Sequence, residues 1–219
     1  MVLYRTLKAR TGRLIEHTRA PHANLGSNFM LDRHGWLKPH PAAVCAPSPN
    51  CDARPANQHV HLLVVHNISL PPGVFGGSHV IDFFQNQLDY QSHPWLPRLQ
   101  GMRVSAHFLI RRTGHVVQFV ATHERAWHAG VSQFEGRERC NDFSIGIELE
   151  GTDTLPYKTA QYEALGMLTK ALRVHHPIRA VRGHQHIAPG RKTDPGPAFD
   201  WDRLARDGQW LRRQLPNNS

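Results

Sequence analysis

"HLLVVHNI", residues 61–68, runs through four apolar side chains and stops on a histidine and an asparagine. A short unbroken apolar run of this kind, rich in β-branched residues, reads as a buried strand. Downstream, "FSIGIELEG" (143–151) reads as a second strand and "IRAVRGH" (178–184) as a third. "SAHFLI" and "HVVQFV" flank "RRTG" (111–114) and predict a hairpin. Helical patterns lie between these strands. In "SHVIDFFQNQLD" (78–89), Ser78 is a candidate N-cap, and Val80, Ile81, Phe84 and Leu88 recur at helical spacing. Residues 159–176 predict an amphipathic helix stopped by Pro177, and residues 200–215 another that Gly208 is placed to break. "LPPGVFGG" (70–77) and the proline-rich stretch 39–58 read as surface loops. Interleaved strands and helices with one hairpin predict an α/β (α+β) fold: a mixed central β-sheet flanked by helices.

With 219 residues, 40% of them hydrophobic, the chain is long enough for one domain with a real core. The net charge is +9, yet Arg5, Lys8, Arg10, Arg13 and Arg19 against Glu16 put about half of the excess into residues 1–29. Basic and aromatic residues do not interleave as they do in RNA-binding surfaces, so no nucleic-acid partner is expected. The three cysteines, Cys45, Cys51 and Cys140, are too scattered for a disulfide framework or a zinc knuckle and suit a reducing compartment. No run approaches the roughly 18 apolar residues of a membrane span, and the N-terminus lacks the apolar segment of a secretory signal. The expectation is a cytoplasmic monomer with no membrane partner.

The chain holds 17 histidines, and the chemistry must be found among them. His66 closes an apolar run and points to the face opposite His59 and His61. A buried imidazole there needs a partner, either a metal or a hydrogen bond at the sheet rim. "RGHQHIAPGRKTDPGP" (182–197) crowds His184, His186, Lys192 and Asp194 into a stretch unsuited to a hydrophobic core. One or two imidazoles with a carboxylate suit zinc, whereas Asp-Pro-Gly alone suits a turn. Spacing does not separate His184 from His186. Glu148 and Glu150 share a side of their strand with Ser144 and Gly146. One of them is a candidate general base, and the alternative is a solvated sheet face. Lys192, two residues before Asp194, is a candidate oxyanion partner or an ordinary surface lysine. Together these residues describe a metal hydrolase whose fourth metal position is left to water.

Four stretches, "LLVVHNISLPPGVFGG", "VSAHFLIRRTGHVVQFV", "RAWHAGVSQFEGRERCNDFSIGIELEGTD" and "GHQHIAPGRKTDPGPAFDW", resemble the zinc N-acetylmuramoyl-L-alanine amidases. That family includes phage lysozyme-type amidases and the animal peptidoglycan recognition proteins. The resemblance runs from about Met30 to Trp201. It implies one Zn2+ held by His66, His184 and Asp194, with Glu148 as the catalytic carboxylate and Lys192 beside the developing oxyanion. It also implies that Asn67, Arg103, Trp127 and Arg139 line the substrate groove. Arginines suit the carboxylates of a stem peptide, and a tryptophan face packs on a sugar. The implied reaction is hydrolysis of the amide between the lactyl group of 1,6-anhydro-N-acetylmuramic acid and L-alanine, in cytoplasmic peptidoglycan recycling. "MLDRHGWL" (30–37) resembles the family's usual start. Residues 1–29 are therefore expected to be a flexible N-terminal extension, with residues 30–219 the amidase domain.

Two rival readings are weaker. A recognition module that binds without cleaving would have lost a ligand, and the animal proteins usually carry cysteine where this chain has Asp194. A periplasmic wall amidase would be expected to show an export signal.

Overall fold

A computed structural model describes residues 28–217. Most of the extension expected at residues 1–29 lies outside the described residues. Phe29 is already buried in the main core, its ring 4.6 Å from that of His40.

In chain order the elements are β1 (Ala43–Cys45), β2 (Cys51–Ala53), β3 (Leu62–Ile68) and α1 (His79–Phe84). Next come β4 (Phe108–Ile110), β5 (Val116–Gln118), β6 (Glu124–Ala126), β7 (Gln133–Phe134) and β8 (Arg137–Glu138). The chain continues with β9 (Ser144–Glu150), α2 (Thr159–His175), β10 (Ala180–Gly183), α3 (His184–Ile187) and α4 (Trp201–Gly208). Six strands form one mixed sheet in the order β1-β5-β4-β9-β3-β10. Every pair is parallel except the β4–β5 hairpin. The expected class, a mixed sheet flanked by helices, is what the chain adopts.

Strand periodicity divides this sheet into two faces. Leu63 and Val65 of β3, with Ile145, Ile147 and Leu149 of β9, join the core formed by Leu165, Leu168 and Leu172 of α2 and Leu204 of α4. On the other face, Leu62 and Val64 pack with Ala129, Phe134, Phe143 and Ile187, and Leu109 packs with Phe83 and Phe84. Pairing of β3 with β9 sets His66 beside Glu148 in register. The period of two then sends both onto this second face, away from α2.

Three sequence expectations change. The helix expected over 78–89 shrinks to α1, because Asn86 takes φ 60° and exchanges two 3.0 Å side-chain hydrogen bonds with Asn50. Ser78 makes no side-chain cap hydrogen bond. The supposed loop 39–58 contains β1 and β2, which pair with β5 and β6. Prolines are tolerated around strands at a sheet edge, and three-residue strands are too short to show a period. The C-terminal helix does stop at Gly208, with Gln209 at φ 56°.

Candidate active site

The C-terminal end of β3 delivers His66, the first residue of α3 is His184, and the loop after α3 returns Asp194. His66 Nδ1 lies 3.0 Å from His184 Nδ1 and 3.0 Å from Asp194 Oδ2, and His184 Nδ1 is 3.1 Å from the same carboxylate oxygen. All three donor atoms thus converge on one point. Four ligands about 2.05 Å from a tetrahedral zinc stand roughly 3.3 Å apart, close to the spacing seen here. His184 Nε2 is 3.0 Å from the Ala129 carbonyl, which requires its proton on Nε2 and leaves Nδ1 with a lone pair toward the cluster. Burial, then repulsion from His184, lowers the His66 pKa to about 4. An imidazole lone pair turned toward a carboxylate is the arrangement a metal requires.

Glu148 is buried beside this cluster, and among the described residues its Oε2 has no hydrogen-bond partner. Burial, and then the charge of Asp194, push its pKa well above the ordinary value, against the pull of Lys192. A buried carboxyl with an unused oxygen beside a metal-type cluster is placed to take and return a proton. All seven residues of β9 are buried, so the alternative of a solvated strand face does not hold.

A cavity of about 190 Å³ opens onto these groups, lined by His66, Glu148, His184 and Asp194 together with Asn67, Trp127 and Lys192. Trp127 is held by a 3.2 Å hydrogen bond from Nε1 to Asp52 Oδ1. The Asn67 amide donates to Asp153 Oδ1 at 2.7 Å and to the Pro195 carbonyl at 3.2 Å. Arg103 is exposed between Met102 and Val104, which line the same cavity. Arg139 does not line it. It lines a larger cavity of about 570 Å³, with Val131 and Arg191. Arg139 Nε is 3.3 Å from Asp142 Oδ2.

The residues that the sequence left as alternatives stand in different surroundings. His186 Nδ1 accepts the Gly183 amide at 2.9 Å and its ring packs on Trp201, so this histidine serves the local fold. Glu150 accepts the amides of Gly76 at 2.7 Å and Arg112 at 3.0 Å, tying the 70–77 loop to the hairpin. Sequence reasoning overlooked His128, whose Nδ1 is 3.0 Å from His66 Nε2. It lies in an irregular segment between β6 and β7, where no period singles it out.

A mixed sheet that presents two imidazoles and a carboxylate beside a buried glutamate is a frame suited to hydrolysis at a metal site. The family model for N-acetylmuramoyl-L-alanine amidase matches residues 56–197, and the chain belongs to that family of hydrolases. Its relatives include the 1,6-anhydro-N-acetylmuramyl-L-alanine amidase AmpD of Escherichia coli (strain K12), 57% identical over 177 residues, or 80% of this chain and 95% of that one. The crystal structure of a selenomethionine AmpD derivative matches with a TM-score of 0.78 at 54% identity, covering 81% of this chain and 98% of that one. The E. coli amidase AmiD, solved in complex with anhydro-N-acetylmuramic acid-L-Ala-D-gamma-Glu-L-Lys, matches at TM-score 0.50 and 29% identity, over 82% of this chain and 65% of that one.

Proposed function

We propose that this amidase is zinc-dependent and hydrolyses the lactyl–L-alanine amide of 1,6-anhydro-N-acetylmuramyl peptides, as a monomer in cytoplasmic peptidoglycan recycling. One observation carries the chemistry: three metal-type donors, His66, His184 and Asp194, converge next to a buried glutamate with an unpartnered oxygen. The substrate class is supported by the activity named for the relative of 57% identity. No helix among the described residues is long and apolar enough to cross a membrane, in keeping with a role away from the bilayer.

His66, His184 and Asp194 would hold the zinc. When bound, the ion supplies Lewis acidity, lowering the pKa of a water toward about 7 and polarising a carbonyl. Glu148, with its raised proton affinity, takes the proton from the attacking water and returns it to the departing alanine nitrogen. Lys192 lines the same cavity and offers an ammonium to the oxygen that gathers charge as the lactyl carbonyl becomes tetrahedral. Trp127, fixed by Asp52, presents a ring face to a sugar. Arg103 and Arg139 supply guanidinium groups for the carboxylates of the stem peptide. Asn67 completes the substrate-binding set. Its bonds to Asp153 and Pro195 also steady the turn that carries Asp194.

The test uses purified protein and two muropeptides, one ending in the anhydro sugar and one in an ordinary reducing sugar, with products followed by mass spectrometry. Free stem peptide from the anhydro form alone, lost with chelator and restored by zinc, is the expected result. Equal cleavage of both would replace the recycling role with general wall hydrolysis, and binding without cleavage would restore the recognition-module reading.

A further inference from the structure

Both histidines of the metal cluster meet their outer hydrogen-bond partners at one dipeptide, His128–Ala129. His184 Nε2 is 3.0 Å from the Ala129 carbonyl, and His66 Nε2 is 3.0 Å from His128 Nδ1. Asn141 Oδ1 accepts both backbone amides of this dipeptide, at 3.1 Å from His128 and 2.8 Å from Ala129. The carbonyl can only accept, so it settles His184 directly. Settling His66 takes a longer chain, because an imidazole can donate or accept.

The proton positions along that chain follow from its far end. The Ser144 hydroxyl donates its single proton to the Cys140 carbonyl at 2.6 Å. Toward His128 Nε2, 3.2 Å away, Ser144 Oγ must therefore accept, which puts the His128 proton on Nε2. Among the described residues no carboxylate bonds to the His128 ring to balance a second proton, so the ring holds one proton, on Nε2, and its Nδ1 carries a lone pair. His66 Nε2 must then donate to it, and His66 Nδ1 is left bare toward His184 and Asp194. The ring is seated as well as bonded. An ideal Cβ on Gly146 would lie 2.4 Å from His128 Cγ, so the imidazole rests directly against the backbone of β9.

We propose that His128 is a positioning residue: with Ser144 and the Cys140 carbonyl, it forms a one-directional hydrogen-bond chain that fixes the tautomer of His66, so that Nδ1 faces the metal. The inference rests on the metal-binding reading above. Outer partners that orient a ligating imidazole commonly contribute about 10- to 100-fold to metal affinity. The chain adds three groups beyond the ligand, His128, Ser144 and the Cys140 carbonyl, and it explains why a buried serine and a side-chain-free glycine alternate on β9 before Glu148.

The experiment is zinc affinity by chelator competition, with long-range proton–nitrogen NMR of the histidine rings in the zinc-loaded protein. In the unsubstituted protein, His66 and His184 should both carry their proton on Nε2. His128→Phe keeps a ring but removes the acceptor, and should weaken zinc binding by about 10- to 100-fold. His128→Asn returns an acceptor oxygen near the Nδ1 position and should recover most of that loss, which a purely space-filling role does not predict. Ser144→Ala should weaken binding by several-fold and keeps the test alive if the Phe variant does not fold. A His66 proton found on Nδ1, or zinc binding by both His128→Phe and Ser144→Ala within about threefold of the parent, overturns the inference while the metal reading stands. Failure of the unsubstituted protein to take up zinc would overturn both.

Discussion

Gly146→Ala is the smallest change that reaches the site without touching a proposed ligand. Gly146 is not in the left-handed region, so alanine meets no backbone strain. The conflict is with His128: the new Cβ would stand 2.4 Å from Cγ, 2.6 Å from Nδ1 and 2.7 Å from Cδ2. Ordinary carbon contacts lie near 3.5–4.0 Å, so the ring must retreat by about 1 Å. Its 3.0 Å contact with His66 Nε2 would then stretch beyond hydrogen-bonding range. Overpacking of this size costs about 1–3 kcal/mol, and a buried unpaired N–H costs about as much again. A total of about 2–6 kcal/mol corresponds to a fall in Tm of roughly 5–20 °C for a chain of this size. Differential scanning calorimetry of parent and variant measures it, and a zinc titration of the same samples should show weaker binding. A variant within about 0.5 kcal/mol of the parent, with parental zinc affinity, would refute the packing of His128 against β9.

Other substitutions probe the remaining assignments. Glu148→Gln should retain one zinc per chain and lose turnover by about 10²- to 10⁴-fold, read by single-turnover kinetics with metal analysis of the same sample. His186→Gln should leave zinc stoichiometry at the parental value, since His186 bonds the Gly183 amide and not the cluster; loss of metal in this variant would contradict the ligand assignment. Burial, reinforced by His123, lowers the His176 pKa from 6.5 to about 4 in the fold. The unfolded chain therefore binds an extra proton between those values, so stability is full above pH 6.5 and falls as pH drops toward 4. His176→Gln should flatten this slope in denaturant titrations at pH 7 and pH 5. Glu150→Gln should cost about 1–3 kcal/mol in the same assay, because an amide offers one acceptor where Gly76 and Arg112 both donate.

The sheet was legible wherever burial left a long apolar signature. β3 and β9 read directly from "LLVV" and "SIGI", and the hairpin from the turn between its strands. β1 and β2 were not legible, since their three-residue strands are fixed by partners distant in sequence, and β7 and β8, at two residues each, are too short to show a period. Register was hidden as well, so nothing local to "HNI" or "IELE" announced that His66 would sit beside Glu148. Residue chemistry narrowed the candidate ligands to a few, and the family resemblance implied His184 where spacing left His186 open; in the structure it is His184 that stands beside His66 and Asp194. His128 escaped because its importance lies in a contact with His66, 62 positions away in the chain.

In the proposed function, one zinc on His66, His184 and Asp194 makes this chain an amidase. The most direct measurement strips the metal and returns zinc stepwise, recording stem-peptide release from anhydro-muropeptide at each addition. The expected result is no release from the stripped protein, a linear rise, and a plateau at one equivalent per chain. Release undiminished after stripping, or none at any zinc level, would contradict it.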